Sequence, residues 1–592
     1  MGVKGYAQGG AIYNKAGTSA SYMGITSSIF NNNYVEGTLD TTDGGAIWND
    51  GTIDFSGNNY FSGNYKVVNG TKSANDIYNA GTINMLSGSM LDITGGISGN
   101  NGIINAGENA TLNLYSSQAE GNNMVMSDGA SMMIEINNIT TDSTEQSGGK
   151  FAGDIKLNGV NNLIVQAYID NSALNKSGEY LFANNVDSSS GSWKLQYTDN
   201  GLYNYNLTMT EDSNKNKLEM FYERKTTEEI SESLDISKEE AKELENIIGS
   251  SSNNKLYEEL RQEIDKNAQN KSDNIRNTLN DMRDNPMANI SVMRHIEDIM
   301  LVTTNNRISS RQNQMNMGLS GGDFEIKNPN VWVSGLYNKS ENTGDLDYKT
   351  DSYGFVSGID AKLTRRIIAG VGYGYIKTDM ESKNKTIDID THSVFGYGEY
   401  TKNDWFANLY ASYNMHEFNQ DKTVLNKLIQ GSYDGTTYGA QLMIGKNLYG
   451  CPENHYLRLR PSAGLRYYYL EQDGYTDNAG IKYDSVNGDI LTGVLGVELT
   501  DNMMMGDYPA NQKFHVNATY DLVNDNVNTY VQLPNGNGYN IDGQAEDEFG
   551  IEAGYGLEVE LTDNLSAGVN YEFGWRKNYT THTAFLNLKY SF

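Results

Sequence analysis

The amino-acid sequence predicts a mainly β protein in three parts: an N-terminal right-handed parallel β-helix, a short α-helical linker, and a C-terminal 12-stranded antiparallel transmembrane β-barrel. Three observations predict it. A glycine and asparagine repeat fills residues 1–147, helical periodicity follows residue 226, and strands with one apolar face recur from Val331 to the last residue.

In the first part, Gly9-Gly10-Ala11-Ile12-Tyr13-Asn14 returns as Gly44-Gly45-Ala46-Ile47-Trp48-Asn49. Looser copies follow as Asn75-Asp76-Ile77-Tyr78-Asn79 and Gly102-Ile103-Ile104-Asn105, with Ile53, Ile83 and Leu112 continuing an apolar column. Short apolar strands at a spacing of about 30 residues, punctuated by Gly and Asn, describe a stacked solenoid. Asn suits the corners, because it tolerates left-handed backbone and can hydrogen-bond its copies above and below. A disordered low-complexity tract is the alternative, and the in-register Ile, Tyr and Trp argue against it. Residues 148–225 carry larger side chains in strands, as in Trp193 and Tyr203, and are expected to cap the open end of the solenoid.

Helices occupy residues 226–316. Ser237-Lys238-Glu239-Glu240 has capping-box spacing, with Ala241, Leu244, Ile247 and Ile248 behind it at helical period. A second helix is predicted over 254–284, stopping before Pro286, and a third over 287–317. The third would be roughly 45 Å long at 1.5 Å per residue, enough to thread a bilayer-thick barrel. Its charged residues Arg294, Glu297, Asp298, Arg307 and Arg311 would be unfavourable against lipid but suit a hydrated lumen. A surface helical hairpin is the other arrangement.

From residue 325 to 592 the barrel is predicted. In the final strand Ala584, Leu586, Leu588, Tyr590 and Phe592 alternate with polar Asn587, Lys589 and Ser591, which would put the first set toward lipid and the second toward a lumen. About twelve such segments start near Val331, Asp351, Arg366, Ile387, Trp405, Ser432, Tyr456, Asp489, Gln512, Phe549, Leu565 and Thr581. Tight turns are expected at 363–366, 402–404 and 562–564, and longer polar loops after the first, third, fifth, seventh and ninth strands. The 41 tyrosines fit aromatic girdles at two membrane interfaces. A soluble all-β sandwich would not need both alternations.

Composition narrows the function classes. No run of 18 apolar residues exists, so strands must make any membrane crossing, and the negative mean hydropathy does not oppose it. The single Cys451 makes no intrachain disulfide or thiolate metal cluster, and no cofactor is expected. A net charge of −31 disfavours a nucleic-acid partner. The opening residues show no basic segment followed by an apolar one, so the chain is expected to be a fragment or to start upstream.

The order of parts, with Val331-Trp332-Val333-Ser334-Gly335 opening the barrel, Gly358-Ile359-Asp360 ending its second strand, Arg460-Pro461-Ser462-Ala463-Gly464-Leu465-Arg466-Tyr467, and terminal Tyr590-Ser591-Phe592, resembles the type Va autotransporters of Gram-negative bacteria. The resemblance is strong over 287–592 and general in the repeats. It implies an outer-membrane translocator with the linker helix in its pore and a passenger displayed on the cell surface. It also implies partners: outer-membrane lipids, the barrel-assembly machinery reading Leu586, Leu588, Tyr590 and Phe592, and a ligand on a host or bacterial surface. Residues 148–225 would correspond to an autochaperone region. Some relatives cleave themselves at an Asn-Asn bond in the pore, which would fall on Asn305 and Asn306.

Three functions remain to be weighed. The passenger could be a non-enzymatic adhesin or interaction module, the expectation adopted here. It could cleave polysaccharides with carboxylates such as Asp40, Asp43, Asp50 and Asp54. All six histidines and Cys451 lie beyond residue 287, which removes nucleophilic triads and paired-histidine metal motifs from the passenger. Alternatively, the chain could be a simple outer-membrane porin, which predicts no helix in the pore.

Overall fold

The computed structural model describes residues 8–17, 21–39, 41–138, 147–169, 177–212, 215–315, 327–344, 346–450 and 457–592. Asp40, Cys451 and His455 lie outside them, as do the end of the predicted third helix and the side chain of Arg311. Two compact units emerge: Met1–Glu245 with Gln262–Arg276, and Asn246–Arg261 with Asn277–Phe592.

The first unit is a parallel β-solenoid. One column runs Ile12, Ile47, Ile77, Ile97, Ala119, each residue in parallel register with the next. A second runs Met23, Ile53, Ile83, Ile104, Met124, Ile155. A third contains Leu91, Leu112, Met132 and Leu163. From Ile47 and Ile53 onward these side chains are fully buried, which removes apolar surface from water at every rung. Two readings of the repeat need correction. Ile104 lies on Ile83 rather than on Ile77, and Leu112 belongs to the third column rather than with Ile53 and Ile83. The rung holding Ile47 carries an extra hairpin, Tyr65–Val68 and Thr71–Ala74, that the Ile77 rung lacks, so the period shortens and a fixed spacing slips off register.

The corner asparagines form a ladder. Asn14 donates to Asn49 at 2.7 Å, Asn49 to Asn79 at 2.7 Å, and Asn79 to Asn122 at 2.9 Å. The rung between Asn79 and Asn122 has Gly99 at the corner, and an added Cβ there would lie 2.6 Å from the Asn122 amide nitrogen. Gly121 sits beside it with φ +66°, where a Cβ would lie 2.2 Å from the Gly99 carbonyl oxygen. Gly88 has nearly the same φ, +69°, with open space around it. Gly88→Ala is therefore expected to cost only the left-handed strain, about 1–2 kcal/mol, and Gly121→Ala that strain plus overpacking, about 2–5 kcal/mol. Chemical denaturation of the two variants would measure the gap.

Parallel pairing runs on through Lys150–Ala167 and Ser177–Tyr197, so the larger side chains after residue 148 mark longer strands rather than the last rung. The antiparallel hairpin Tyr203–Asp212 and Lys215–Arg224 then ends the stack. In the same unit the Gln269 side chain accepts from the Ile169 N–H and donates to its carbonyl, both at 2.8 Å, satisfying a strand end as a neighbouring backbone would.

The linker differs from expectation in two places. Within the helical stretch 226–316 a separate first helix, Thr227–Leu234, was not singled out, although Thr226 and Glu229 form a capping box that the sequence spells. The single helix expected over 254–284 is two, Lys255–Gln269 and Ile275–Met282, because Lys271 takes φ +51° and breaks the hydrogen-bond ladder. Ser237 accepts from Glu240 N–H at 3.0 Å and heads the helix Lys238–Ile248.

The second unit contains a closed antiparallel barrel of twelve long strands. In order they are Lys327–Asn342, Tyr348–Lys362, Ile367–Ser382, Lys385–Lys402, Trp405–Val424, Lys427–Lys446, Leu457–Gln472, Val486–Met505, Tyr508–Asn524, Phe549–Glu560, Leu565–Arg576 and Tyr579–Ser591. Each pairs with the next, and the last closes on the first from Asn330↔Ser591 to Asn342↔Tyr579, so no edge is left open. Outward residues are apolar and exposed, among them Val371, Leu409, Leu442, Leu465, Leu495, Val569, Leu586 and Leu588. Inward residues are polar and buried, among them Asn338, Thr378, Asn414, Thr437 and Thr492. That is the inverse of a soluble barrel. Outer tyrosines near one end donate to neighbouring carboxylates, Tyr337 to Asp351 on the second strand at 2.6 Å and Tyr520 to Glu548 just before the tenth at 2.5 Å, as in an interfacial belt.

The loops expected after the third and fifth strands are two-residue turns, 383–384 and 425–426. Those strands instead stay paired beyond the apolar band, since a strand of 20 residues at 3.3 Å each outruns the hydrocarbon layer. The long connections after the seventh and ninth strands fold into a four-stranded sheet of Tyr475–Thr476, Lys482–Tyr483, Val527–Gln532 and Gly538–Gly543.

Candidate functional site

The candidate site is the barrel lumen and the helix Pro286–Met315 that runs through it. Pro286 supplies a helix start with no N–H to satisfy, and apolar and polar residues alternate around the helix with no single apolar face. Such a helix is stable only where polar partners surround it, and the inner wall provides them.

The contacts come from all sides. Asn289 donates to Tyr433 and Gln472, each at 2.9 Å, and Ser291 hydrogen-bonds Tyr348 at 2.6 Å. Arg294 grips Asp521 with both terminal nitrogens at 2.9 Å, and Arg576 reaches the same carboxylate at 2.9 Å from the eleventh strand. His295 stacks on Tyr579 at 3.8 Å and contacts Glu546 at 3.1 Å. Glu297 accepts from Ser412 and Asn414, and Asp298 accepts from Arg466 at 3.0 Å and Tyr468 at 2.7 Å. Lower down, Arg307 donates to Asp360 at 2.7 Å, and Ser309 to Glu498 at 2.7 Å. Asp360 also accepts from Tyr397 at 3.0 Å, whose oxygen accepts from the Trp332 indole at 2.9 Å, so the first strand joins the same network.

At the upper end, where the odd-numbered turns lie, the chain before Pro286 is held by another cluster. Asp284 accepts from Lys385, Gln420 and Tyr475, each at 2.7 Å, while Lys422 donates to the Met282 carbonyl at 3.2 Å. Phe418, Tyr433, Tyr475 and Tyr483 stack in a row with centroids 4.9, 4.2 and 4.6 Å apart. Burial raises the Asp284 carboxyl, but Lys385 and Lys422 more than reverse this and hold it well below the usual range. Asp477 sits in the adjacent loop, and burial pushes it up to about 6 despite Lys422. Lower in the lumen, a gap of about 80 Å³ lies beside Val302, Asn305, Arg460, Glu498 and Lys513, with polar groups and room enough for water.

The residues singled out from sequence take these places. Arg294 and Arg307 are buried in ion pairs with the wall. Asn305 accepts from Gln441 at 3.5 Å, and the Asn306 amide donates to Glu572 at 2.9 Å. Leu586, Leu588, Tyr590 and Phe592 point outward, 64, 47, 46 and 69% exposed, as a continuous greasy stripe. Trp332 faces inward, and Gly335 lies where an added Cβ would meet nothing within 4 Å. Asp521, Asp360, Asp284 and the Lys385–Lys422 pair were missed. Asp521, Asp360, Lys385 and Lys422 stand at strand positions facing inward and Asp284 in the short segment before the pore helix, but nothing local says which partner each will meet.

The matching family model is the autotransporter beta-domain, over residues 331–572, which is the barrel from its first strand into its eleventh. The barrel is an autotransporter β-domain. Its outward apolar band and this family place it in the bacterial outer membrane. Outer membrane protein A of Rickettsia rickettsii is 26% identical over 197 residues, covering 30% of this chain and 9% of that protein. The chain thus spans about a tenth of the length of the curated relatives it matches. Among solved structures, the translocator domain of autotransporter NalP from Neisseria meningitidis is 18% identical with a TM-score of 0.41, covering 52% of this chain and 99% of that one. The transport unit of AIDA-I from Escherichia coli is 16% identical with a TM-score of 0.33, covering 48% and 98%. In this β-domain the pore helix fills the lumen with polar ties throughout, an arrangement that a simple diffusion pore does not need.

Proposed function

We propose that the β-domain exports and anchors the solenoid, which acts at the cell surface as an adhesin or interaction module. The observation that carries this is the helix Pro286–Met315 lodged inside the closed barrel, so that the chain preceding it leaves the lumen at the end bearing the long, folded connections. Each solenoid rung buries its own apolar column, so folding of rungs outside would oppose return through the pore. The outward stripe Leu586, Leu588, Tyr590 and Phe592 supports a role as the signal read by the barrel-assembly machinery.

A non-enzymatic passenger is supported by the engagement of its candidate acids. Asp43 pairs with Lys66, and Asp54 accepts from Tyr22 and Asn84, each at 2.8 Å. The repeating faces offer long shallow surfaces suited to multivalent contact with a surface ligand. Protease added to intact Gram-negative cells expressing the full chain is expected to remove the solenoid and leave the barrel; protection of the solenoid until the cells are lysed would overturn the reading.

A further inference from the structure

We infer that Asp284 is a positioning residue that fixes where export stops, by seating in the preformed Lys385–Gln420–Tyr475 socket at the upper mouth of the barrel. The inference rests on the export reading above. The socket draws on three separate pieces of wall: Lys385 from the fourth strand, Gln420 from the fifth, and Tyr475 from the connection after the seventh. Asp284 is 5% exposed, and all three donors lie at 2.7 Å. The backbone just before it is held too, since Asn384 donates to the Asp281 carbonyl at 3.1 Å and Lys422 to that of Met282 at 3.2 Å. The charged groups facing the socket are Lys385 and Lys422 with Asp284 and Asp477, and beside Lys422 also Asp281, itself near Lys383; of these carboxylates Asp284 is the one bonded to Lys385.

A passing polypeptide presents many aspartates; Asp273 stands just as close before a helix, Ile275–Met282, but that helix has 8 residues, whereas the one after Asp284 has 30. Arg294 and Arg307 lie about 15 Å and about 35 Å further along that helix and meet Asp521 and Asp360 on the wall. Slippage by one residue moves the helix about 1.5 Å and turns it by about 100°. It therefore breaks the socket and both arginine pairs together. The three pairs engage in one register only, and Asp284 is the member that meets the barrel where the chain leaves it.

The test uses the full chain with three readouts. Protease accessibility of the solenoid on intact cells reports export, heat-modified migration of the barrel reports folding, and planar-bilayer current of the purified protein reports whether the helix is seated. Asp284→Lys is expected to leave the folded-barrel band in place and to raise the frequency of open bursts at least tenfold. The charge swap Asp284→Lys with Lys385→Asp should return the current to the native level, which loss of general stability would not do. Asp284→Asn, the milder variant for use if Asp284→Lys fails to fold, should give an intermediate rise. Native-like silence in both single variants, or a swap as leaky as Asp284→Lys, would overturn the latch. A solenoid inaccessible on cells with the native chain would instead overturn the export reading, leaving the current measurements to judge the socket separately.

Discussion

Asp521→Ala is expected to destabilise the barrel by about 3–5 kcal/mol, the range for removing one partner of a buried ion pair. Asp521 is fully buried between two guanidiniums, Arg294 from the pore helix and Arg576 from the wall, and it also accepts from Thr492 at 2.7 Å. Without it two cations face one another with their acceptor gone. The loss should appear as a lower midpoint for denaturant unfolding of the protein refolded in lipid vesicles, together with open bursts in bilayer recordings. The combined variant Arg294→Met, Asp521→Leu, Arg576→Met should recover at least half of the loss, because apolar groups of similar volume carry no desolvation cost. A cost below about 1 kcal/mol for Asp521→Ala, the value of a solvent-exposed pair, would mean that water screens the lumen and that the triad does not hold the helix.

The second large effect is expected in the passenger. Asn79→Ala should cost about 2–4 kcal/mol, because it strips partners from two buried amides at about 1–3 kcal/mol for each unsatisfied group. Asn79 has no exposed surface, accepts from Asn49 and donates to Asn122, while Asn49 keeps weaker bonds to Gly51 and Thr82 carbonyls at 3.3 and 3.2 Å. Asn84→Ala is the control. Asn84 also sits in a ladder, between Asp54 and Asn105 at 2.8 Å each, but on the half-exposed face where water can replace what is lost. Its cost should stay below about 1 kcal/mol. Urea unfolding followed by tyrosine and tryptophan fluorescence would separate the two; equal midpoints for both variants would show that the inner ladder adds nothing beyond the outer one. On the export reading, Asn79→Ala should also slow the appearance of protease-resistant solenoid on cells, because a less stable rung resists back-sliding less.

Strand positions in the barrel were readable because each strand announces itself through its own side chains. Trp405, Phe549 and Leu565 begin strands in the structure as the alternation indicates. Ser432 does not, since its strand begins at Lys427: polar residues above the apolar band stay paired although no hydrophobic signal marks them. The same blindness turned the connections at 383–384 and 425–426 into expected loops. In the solenoid, Ile47 and Ile77 were matched and Ile104 was not, because a fixed period cannot see a hairpin inserted in one rung and missing from the next.

The sequence alone determined most of the strands, which face of each is greasy, that a polar helix precedes the barrel, and that residues 1–225 carry no histidine or cysteine. These are local or compositional properties, set by periods of two and 3.6 residues. Only the tertiary structure decided that Arg294 meets Asp521 and Arg307 meets Asp360, that Asp284 fills a socket of Lys385, Gln420 and Tyr475, and that two distant connections form one sheet at the mouth. Those pairs are far apart in the chain and become neighbours only when the twelfth strand closes on the first. A charge at an inward strand position shows that it needs a partner; which partner it finds depends on the angular position of its strand around the closed barrel and on the phase of the helix inside.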